Sequence, residues 1–483
     1  QEDAIFGWHL SLADRRRRDL RVAPFSRSST FDCTGRSTVW HLSRQAPFSP
    51  APSRSPTRTF DRTGKSTVCQ ARAMNDAARE HEVVVFGATG FTGRLVAEYL
   101  AETYGTGEEL RWAMAGRNES KLRRVAEEIG AGDVPLMTAD SANPDSLGRL
   151  ADSTRVLCTT VGPYALYGSE LVAACAERGT HYCDLTGEVH WMKRMIDAHQ
   201  DSARASGARI VHNCGFDSIP SDLGTLFLQN AMSESHGVPA RHVKLRVKAF
   251  SGAFSGGTVA SMINLMESAA KDRQLRKLLA DPYSLNPPGA LRGADGNDQS
   301  GAVYDEDFAC WTLPFVMAAI NTRVVRRSNA LMDYAYGEDF RYDEATLAPA
   351  SLGALGAKLA AAAMTAGTAS LAIPPLRALA RRLLPAPGEG PGPQQREKGF
   401  FDIYLYGVHP QDPDLDMIGR VQGDRDPGYG STSKMLGEAA VCLAVDELDG
   451  GGGFWTPASA MGSLLRQRIM ENAGLSFEIA TDP

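Results

Sequence analysis

The 483-residue sequence contains no Cys-x-x-Cys pair, no His-Glu-x-x-His and no zinc-type spacing among its 8 cysteines and 10 histidines, so no metal centre is expected. Several thiols sit in apolar runs such as Arg155-Val-Leu-Cys158, which suits buried, reduced cysteines in a cytosolic protein. Positive charge is scarce over most of the chain. Residues 1–73 hold 13 Lys/Arg against 6 Asp/Glu, whereas the remainder holds 38 against 51. A nucleic-acid groove needs clustered cations, so no nucleic-acid partner is expected. No clear membrane-spanning run exists either. Ala354 to Leu376 is almost uncharged, but its Ala and Gly make it weakly hydrophobic, and Lys358 and Pro374-Pro375 interrupt it. It reads as a buried or substrate-lining helix, with a peripheral membrane contact through 354–384 as the alternative because Arg377, Arg381 and Arg382 follow.

The length suits two or three domains, and the chain changes character along its course. Residues 1–73 are rich in Ser, Pro and Arg and show no amphipathic period. They carry one near repeat, Thr30-Phe-Asp-Cys-Thr-Gly and Thr59-Phe-Asp-Arg-Thr-Gly, too few copies to stack. This segment reads as a disordered extension, either translated from upstream of Met74 or a transit peptide. Gly64-Lys-Ser66 imitates the end of a phosphate loop, but Thr59 stands where its first glycine belongs. From Glu82 strands and helices alternate. Strands are predicted at Val83–Phe86, Leu110–Ala115, Pro135–Ala139, Val156–Val161, His181–Leu185 and Ala208–Asn213, with helices between them. That rhythm predicts an α/β fold: a Rossmann-type doubly wound parallel sheet over 74–215. Beyond Gly215 it fades into strand-like segments at Val243–Phe250 and Phe401–Val408, a second α+β domain built on a mixed sheet over 216–430. Residues 431–483 supply C-terminal helices, at Ser431–Glu447 and Ala458–Asn472, returning to the first domain.

Chemistry concentrates at the ends of the predicted strands. Gly87, Ala88, Thr89, Gly90, Phe91, Thr92 and Gly93 form a turn directly after a strand and before a helix. Glycines there let a pyrophosphate approach the backbone at the positive end of the helix. The second strand ends Ala115-Gly116-Arg117. An arginine at that point, helped by Lys121, suits the 2′-phosphate of NADP(H), where an acidic residue would suit NAD. Asp140 follows the third strand and would border the adenine. Gly162 and Pro163 follow the fourth and would lie near the nicotinamide. Tyr164 and Tyr167, just beyond them, are candidate proton donors, although aromatic packing explains either equally well. Asp184 and Asp217 end the next two strands, where a carboxylate can act as acid or base or cap the following helix. None of the 13 tyrosines has a lysine four positions on, so the tyrosine–lysine spacing of short-chain reductases is missing.

Taken together, Gly87 to Gly93, the Ala-Gly-Arg117 strand end, Val161-Gly-Pro-Tyr164, Gly179-Thr-His-Tyr-Cys-Asp-Leu-Thr-Gly-Glu188, Gly215-Phe-Asp-Ser-Ile-Pro-Ser-Asp222 and Ser255-Gly-Gly-Thr258 resemble the saccharopine dehydrogenase-like oxidoreductases, with the closest match to the trans-acting enoyl reductase subgroup. Pro387-Gly-Glu-Gly-Pro391, Arg396-Glu-Lys-Gly-Phe400, Asp426-Pro-Gly-Tyr429 and Phe454-Trp-Thr-Pro-Ala458 extend the likeness, which covers roughly residues 80 to 470. The resemblance implies pyridine-nucleotide redox chemistry, and Arg117 makes NADP(H) the expected cofactor. An enoyl reductase acting on a lipid or polyketide-type intermediate is the leading expectation, because the apolar 354–376 stretch suits a lipid-like substrate. A saccharopine-type imine reductase and a lipid- or membrane-associated nucleotide-binding protein without catalysis are the alternatives. A homodimer is left open, and the expected location is the cytoplasm, with or without membrane association.

Overall fold

A computed structural model describes residues 79–252, 256–383 and 390–481. The expected extension over 1–73 and most of the Pro/Gly linker Pro385–Pro393 lie outside them.

The chain first builds β1 (His81–Phe86), β2 (Trp112–Gly116), β3 (Leu136–Thr138), β4 (Thr154–Thr159), β5 (His181–Asp184) and β6 (Arg209–Val211), with helices between successive strands. Together with β13 (Gly453–Trp455) they form one sheet in the order β13-β6-β5-β4-β1-β2-β3, parallel throughout. Helices cover both faces. This is why β1 can place Val83, Val84 and Val85 in succession with none exposed: neither face of the strand meets water. The strand order reverses between β1 and β4, and ligands of such sheets bind beyond the carboxyl ends at that switch point.

The second sheet contains β7 (His242–Ser251), β8 (Val303–Asp305), β9 (Cys310–Pro314), β10 (Arg341–Leu347), β11 (Phe400–Val408), β12 (Met417–Gly423) and β14 (Leu475–Ala480). Its order is β14-β12-β11-β7-β10-β9-β8; β7 and β10 run parallel and the other neighbours antiparallel. One face alternates Val243, Leu245 and Val247 with Phe401, Ile403 and Leu405, all buried. Helix Ile219–His236 packs on it closely: a Cβ at Gly224 would lie 3.1 Å from Val421 and 3.2 Å from Leu405. The other face is polar, where Arg246 is bound between Asp305 at 2.7 Å and Asp343 at 2.6 Å.

The fold class is the expected one, and three details differ. The C-terminal part is not purely helical. Helix Thr432–Val445 packs against helix Phe91–Tyr104, so closely that a Cβ at Gly437 would meet the Tyr99 ring at 2.7 Å, and β13 adds to the parallel sheet, but β14 joins the mixed sheet. The expected last helix is split into Pro457–Ala460 and Gly462–Asn472 at Gly462, whose φ of 49° breaks the helical path. The Ala-rich segment is helix Gly353–Ser370, and it is neither buried nor membrane-spanning. Only Ala357 and Ala361 are enclosed, packed near Leu313 of β9, and among the described residues no helix is long and apolar enough to cross a bilayer.

Candidate active site

The turn between β1 and helix Phe91–Tyr104 is shaped by its glycines. Gly87 has φ 94°, and a Cβ there would meet Val161 at 2.8 Å and the Thr160 hydroxyl at 2.9 Å. At Gly93 a Cβ would come within 2.2 Å of the Gly87 carbonyl oxygen. Only hydrogen fits at either position. The Gly87 and Ala88 amides donate to the Ala115 carbonyl at 2.9 and 3.3 Å, and the Gly90 amide donates back to Gly87 at 2.8 Å. No side chain caps this helix at Gly90, so its first-turn amides are left for a ligand, as a pyrophosphate cradle requires. Ala88 is fully buried, Thr92 is half-buried, and the Thr89 hydroxyl borders Gly116. Phe91 corrects one expectation. Its ring is turned toward the C-terminal part, edge-on to Tyr429 at 5.1 Å and beneath the Arg396 guanidinium at 5.7 Å. Only its backbone is left for a nucleotide.

At the end of β2, Arg117 and Lys121 are exposed and neither has an ion-pair partner among the described residues. The cap of helix Glu119–Glu128 is Asn118, which accepts the Lys121 amide at 2.9 Å and leaves both cationic side chains uncommitted. Two unpaired cations beside the glycine turn fit the 2′-phosphate of NADP(H). Asp140 is half-buried and accepts the Ala142 amide at 2.9 Å; the neighbouring helix Pro144–Ser153 is capped instead by Asn143. Asp140 therefore shapes its loop.

The ends of β4, β5 and β6 converge, and they sort the four expected catalytic residues. Tyr164 is a core residue, not a proton donor. It is 4% exposed, stacks on Trp191 at 5.4 Å, donates to the Thr159 carbonyl at 3.1 Å, and burial holds its phenol pKa well above the usual value. Gly162 packs against its ring, and the Pro163 carbonyl accepts the amides of Leu166 and Tyr167 at 3.1 and 3.2 Å, closing the one-turn helix Tyr164–Tyr167. Tyr167 lies on that turn, 47% exposed.

Asp184 is likewise structural. Fully buried, it accepts the Tyr182 hydroxyl at 2.8 Å, the Thr186 amide at 3.1 Å and the Asn213 amide at 3.2 Å, and pairs with His212 Nδ1 at 2.7 Å. No lone pair is left for a substrate. Asp217 is the opposite case: half-buried, with no hydrogen-bond donor among the described residues. A Cβ at Gly187 would lie 3.4 Å from its Oδ2, so the loop after β5 runs alongside this carboxyl. Burial without a compensating partner pushes its pKa up to about 7. Flanking it, Asn213 and Ser218 have φ of 63° and 104°, backbone strain of the kind that collects at functional sites.

These features have counterparts in known proteins. Residues 83–211 match the family model of the saccharopine dehydrogenase NADP-binding domain. A trans-acting enoyl reductase of Mycobacterium tuberculosis is 40% identical over 420 residues, spanning 82% of this chain and 97% of that protein. Another from Mycobacterium ulcerans is 39% identical over 416 residues, with the same coverage. The chain belongs to the saccharopine dehydrogenase-like family. Among solved structures, apo saccharopine dehydrogenase from Saccharomyces cerevisiae aligns over 83% of this chain and 99% of its own, with a TM-score of 0.45 and 12% identity.

As a saccharopine dehydrogenase-like protein the chain is an oxidoreductase, and NADP(H) is its cofactor. Bound at the switch point, that cofactor supplies hydride. Of the chain's own residues, the first-turn amides would hold the pyrophosphate, and Arg117 and Lys121 would meet the 2′-phosphate. A group absent from the sequence-based candidates organises the mouth of the site. Glu188 is 2% exposed, accepts the amides of Tyr164 and Ala165 at 2.8 and 3.0 Å, and takes the Ser261 hydroxyl at 3.1 Å. It thereby ties helix Gly256–Lys271 to the carboxyl end of the parallel sheet. Its position at the end of a predicted strand was the available signal; its partner Ser261 had none.

Proposed function

We propose that this oxidoreductase reduces the carbon–carbon double bond of an acyl thioester, a lipid or polyketide-type intermediate. The observation that carries this reading is Asp217. Adding hydride to the β-carbon of an enoyl thioester leaves negative charge at the α-carbon, which must then receive a proton. A carboxyl group with a pKa near 7 and no internal partner suits that step, because at neutral pH a large fraction is protonated and nothing in the fold competes for the proton. After donation, the half-buried carboxylate regains its proton from solvent. Tyr167 and Leu166, both well exposed on the one-turn helix after β4, offer apolar surface at the same end of the parallel sheet. The names of the relatives at about 40% identity support the same reaction class.

Following NADPH oxidation with a 2-enoyl thioester, and separately with lysine plus 2-oxoglutarate, tests the proposal. Turnover of the thioester, greatly reduced in Asp217→Asn, is expected. Turnover confined to the imine-forming pair would overturn the substrate class, and full activity of Asp217→Asn would overturn the assignment of the proton donor.

A further inference from the structure

Helices Gly353–Ser370 and Pro374–Leu383 form an excursion with several large apolar side chains exposed to solvent. Leu355 and Leu359 are 72% and 62% exposed, and Met364, Ile373, Leu376 and Leu379 are exposed as well. Leu376 and Leu379 stand three residues apart and so share one side of the second helix. Scattered apolar residues are ordinary on a protein surface, but five on two consecutive helices and a sixth, Ile373, in the link between them make an apolar segment that calls for a covering.

The segment itself carries charge of one sign. From Ala345 to Gly388 the sequence holds four cations, Lys358, Arg377, Arg381 and Arg382, and no acidic residue. Arg377 is turned to Glu267, whereas Lys358 and Arg382 are exposed; aliphatic side chains beside such cations are complementary to an anionic lipid surface, where the acyl boundary accepts the leucines and the headgroups accept the cations. A two-fold dimer through the same face would set these exposed cations against one another. Because neither helix is apolar enough to span a bilayer, the geometry is that of a surface contact.

The patch is also joined to the site. Arg377 lies 4.0 Å from Glu267 of helix Gly256–Lys271, and six residues earlier, about 9 Å along that helix, Ser261 bonds to Glu188. We propose that the 353–383 excursion docks the enzyme on the surface of a membrane containing anionic lipid, with the mouth of the site beside the docked face. The proposal does not depend on the reaction assigned above.

Flotation of the full chain with vesicles of phosphatidylcholine plus phosphatidylglycerol, and of phosphatidylcholine alone, tests it. Binding to the anionic vesicles is expected, weakened by salt and reduced at least about tenfold in the double variant Leu376→Asp/Leu379→Asp. The double variant Lys358→Glu/Arg382→Glu is expected to lose the preference for anionic vesicles. NADPH affinity and the unfolding midpoint of each variant, measured alongside, should match the parent because the substituted side chains are exposed. Absence of flotation on both vesicles, flotation unchanged in both variants, or light scattering that shows a dimer dissociated by Leu376→Asp/Leu379→Asp would overturn the proposal.

Discussion

The end of β5 and the loop after β6 each bring a carboxylate to the same end of the parallel sheet. Asp184, the last residue of β5, is enclosed and receives a hydroxyl, two amides and an imidazole. After β6, Asp217 is half-buried and receives no donor from the described residues. The sequence neighbourhoods look alike, with an acidic residue just past an apolar strand. The difference lies in partners. Burial with a full set of donors makes a carboxylate part of the scaffold, whereas burial without them raises its pKa and leaves its proton available.

The largest expected effect breaks that contrast at its reactive end. Asp217→Asn keeps the shape and removes the proton, so turnover of the reduced substrate should fall by about 10²- to 10⁴-fold, with NADPH affinity held, as read by steady-state kinetics and titration. At the scaffold end, Asp184→Ala leaves His212, Tyr182 and two amides without their acceptor. It should cost about 3–5 kcal/mol of stability, read as a lower urea midpoint at unchanged slope.

The pH dependence sharpens the same comparison. If Asp217 donates the proton, kcat/KM should decline as pH rises through about 7, and Asp217→Asn should lack that limb. Stability carries an independent signature. The folded pKa of Asp217 exceeds the value of about 3.9 expected for an unfolded aspartate, so between the two values the native state binds more protons. Stability therefore falls as pH rises through that window. Urea titrations at pH 5 and pH 8 should find Asp217→Asn gaining relative to the parent at the higher pH, whereas an unchanged difference would count against an unpartnered carboxyl. The smallest effect belongs to the cofactor: Arg117→Ala should weaken NADPH binding by roughly 10- to 100-fold while leaving NADH binding little changed.

Some of the site was legible in the sequence. The glycine turn could be read because its requirements are local: strand, turn and helix follow one another within a dozen residues. The exposed place of Arg117 just past β2 was legible for the same reason, being fixed by its distance from the end of one strand. Tyr164 and Tyr167 were not separable. They are three residues apart on one helical turn, and only Trp191 and the Thr159 carbonyl, which enclose the first, tell them apart. The missing four-residue tyrosine–lysine spacing also proves to be a statement about spacing alone. Lys248 and Tyr404 meet at 2.9 Å across β7 and β11, on the polar face of the mixed sheet beside Arg420.

The sequence by itself determined the parallel α/β domain, the mixed second sheet, the phosphate-cradling turn and the preference for NADP(H). All of these rest on periodicity and spacing, which act over short stretches of chain. Tertiary structure alone decided which carboxylate is free, why Phe91 faces Arg396 and Tyr429 instead of a ligand, and that the Ala-rich helix lies outside the core. Each depends on groups brought together from distant parts of the chain, and hydrogen-bond partners and burial are properties of that assembly. The same Asp or Leu acquires its chemistry only when the fold supplies, or withholds, its neighbours.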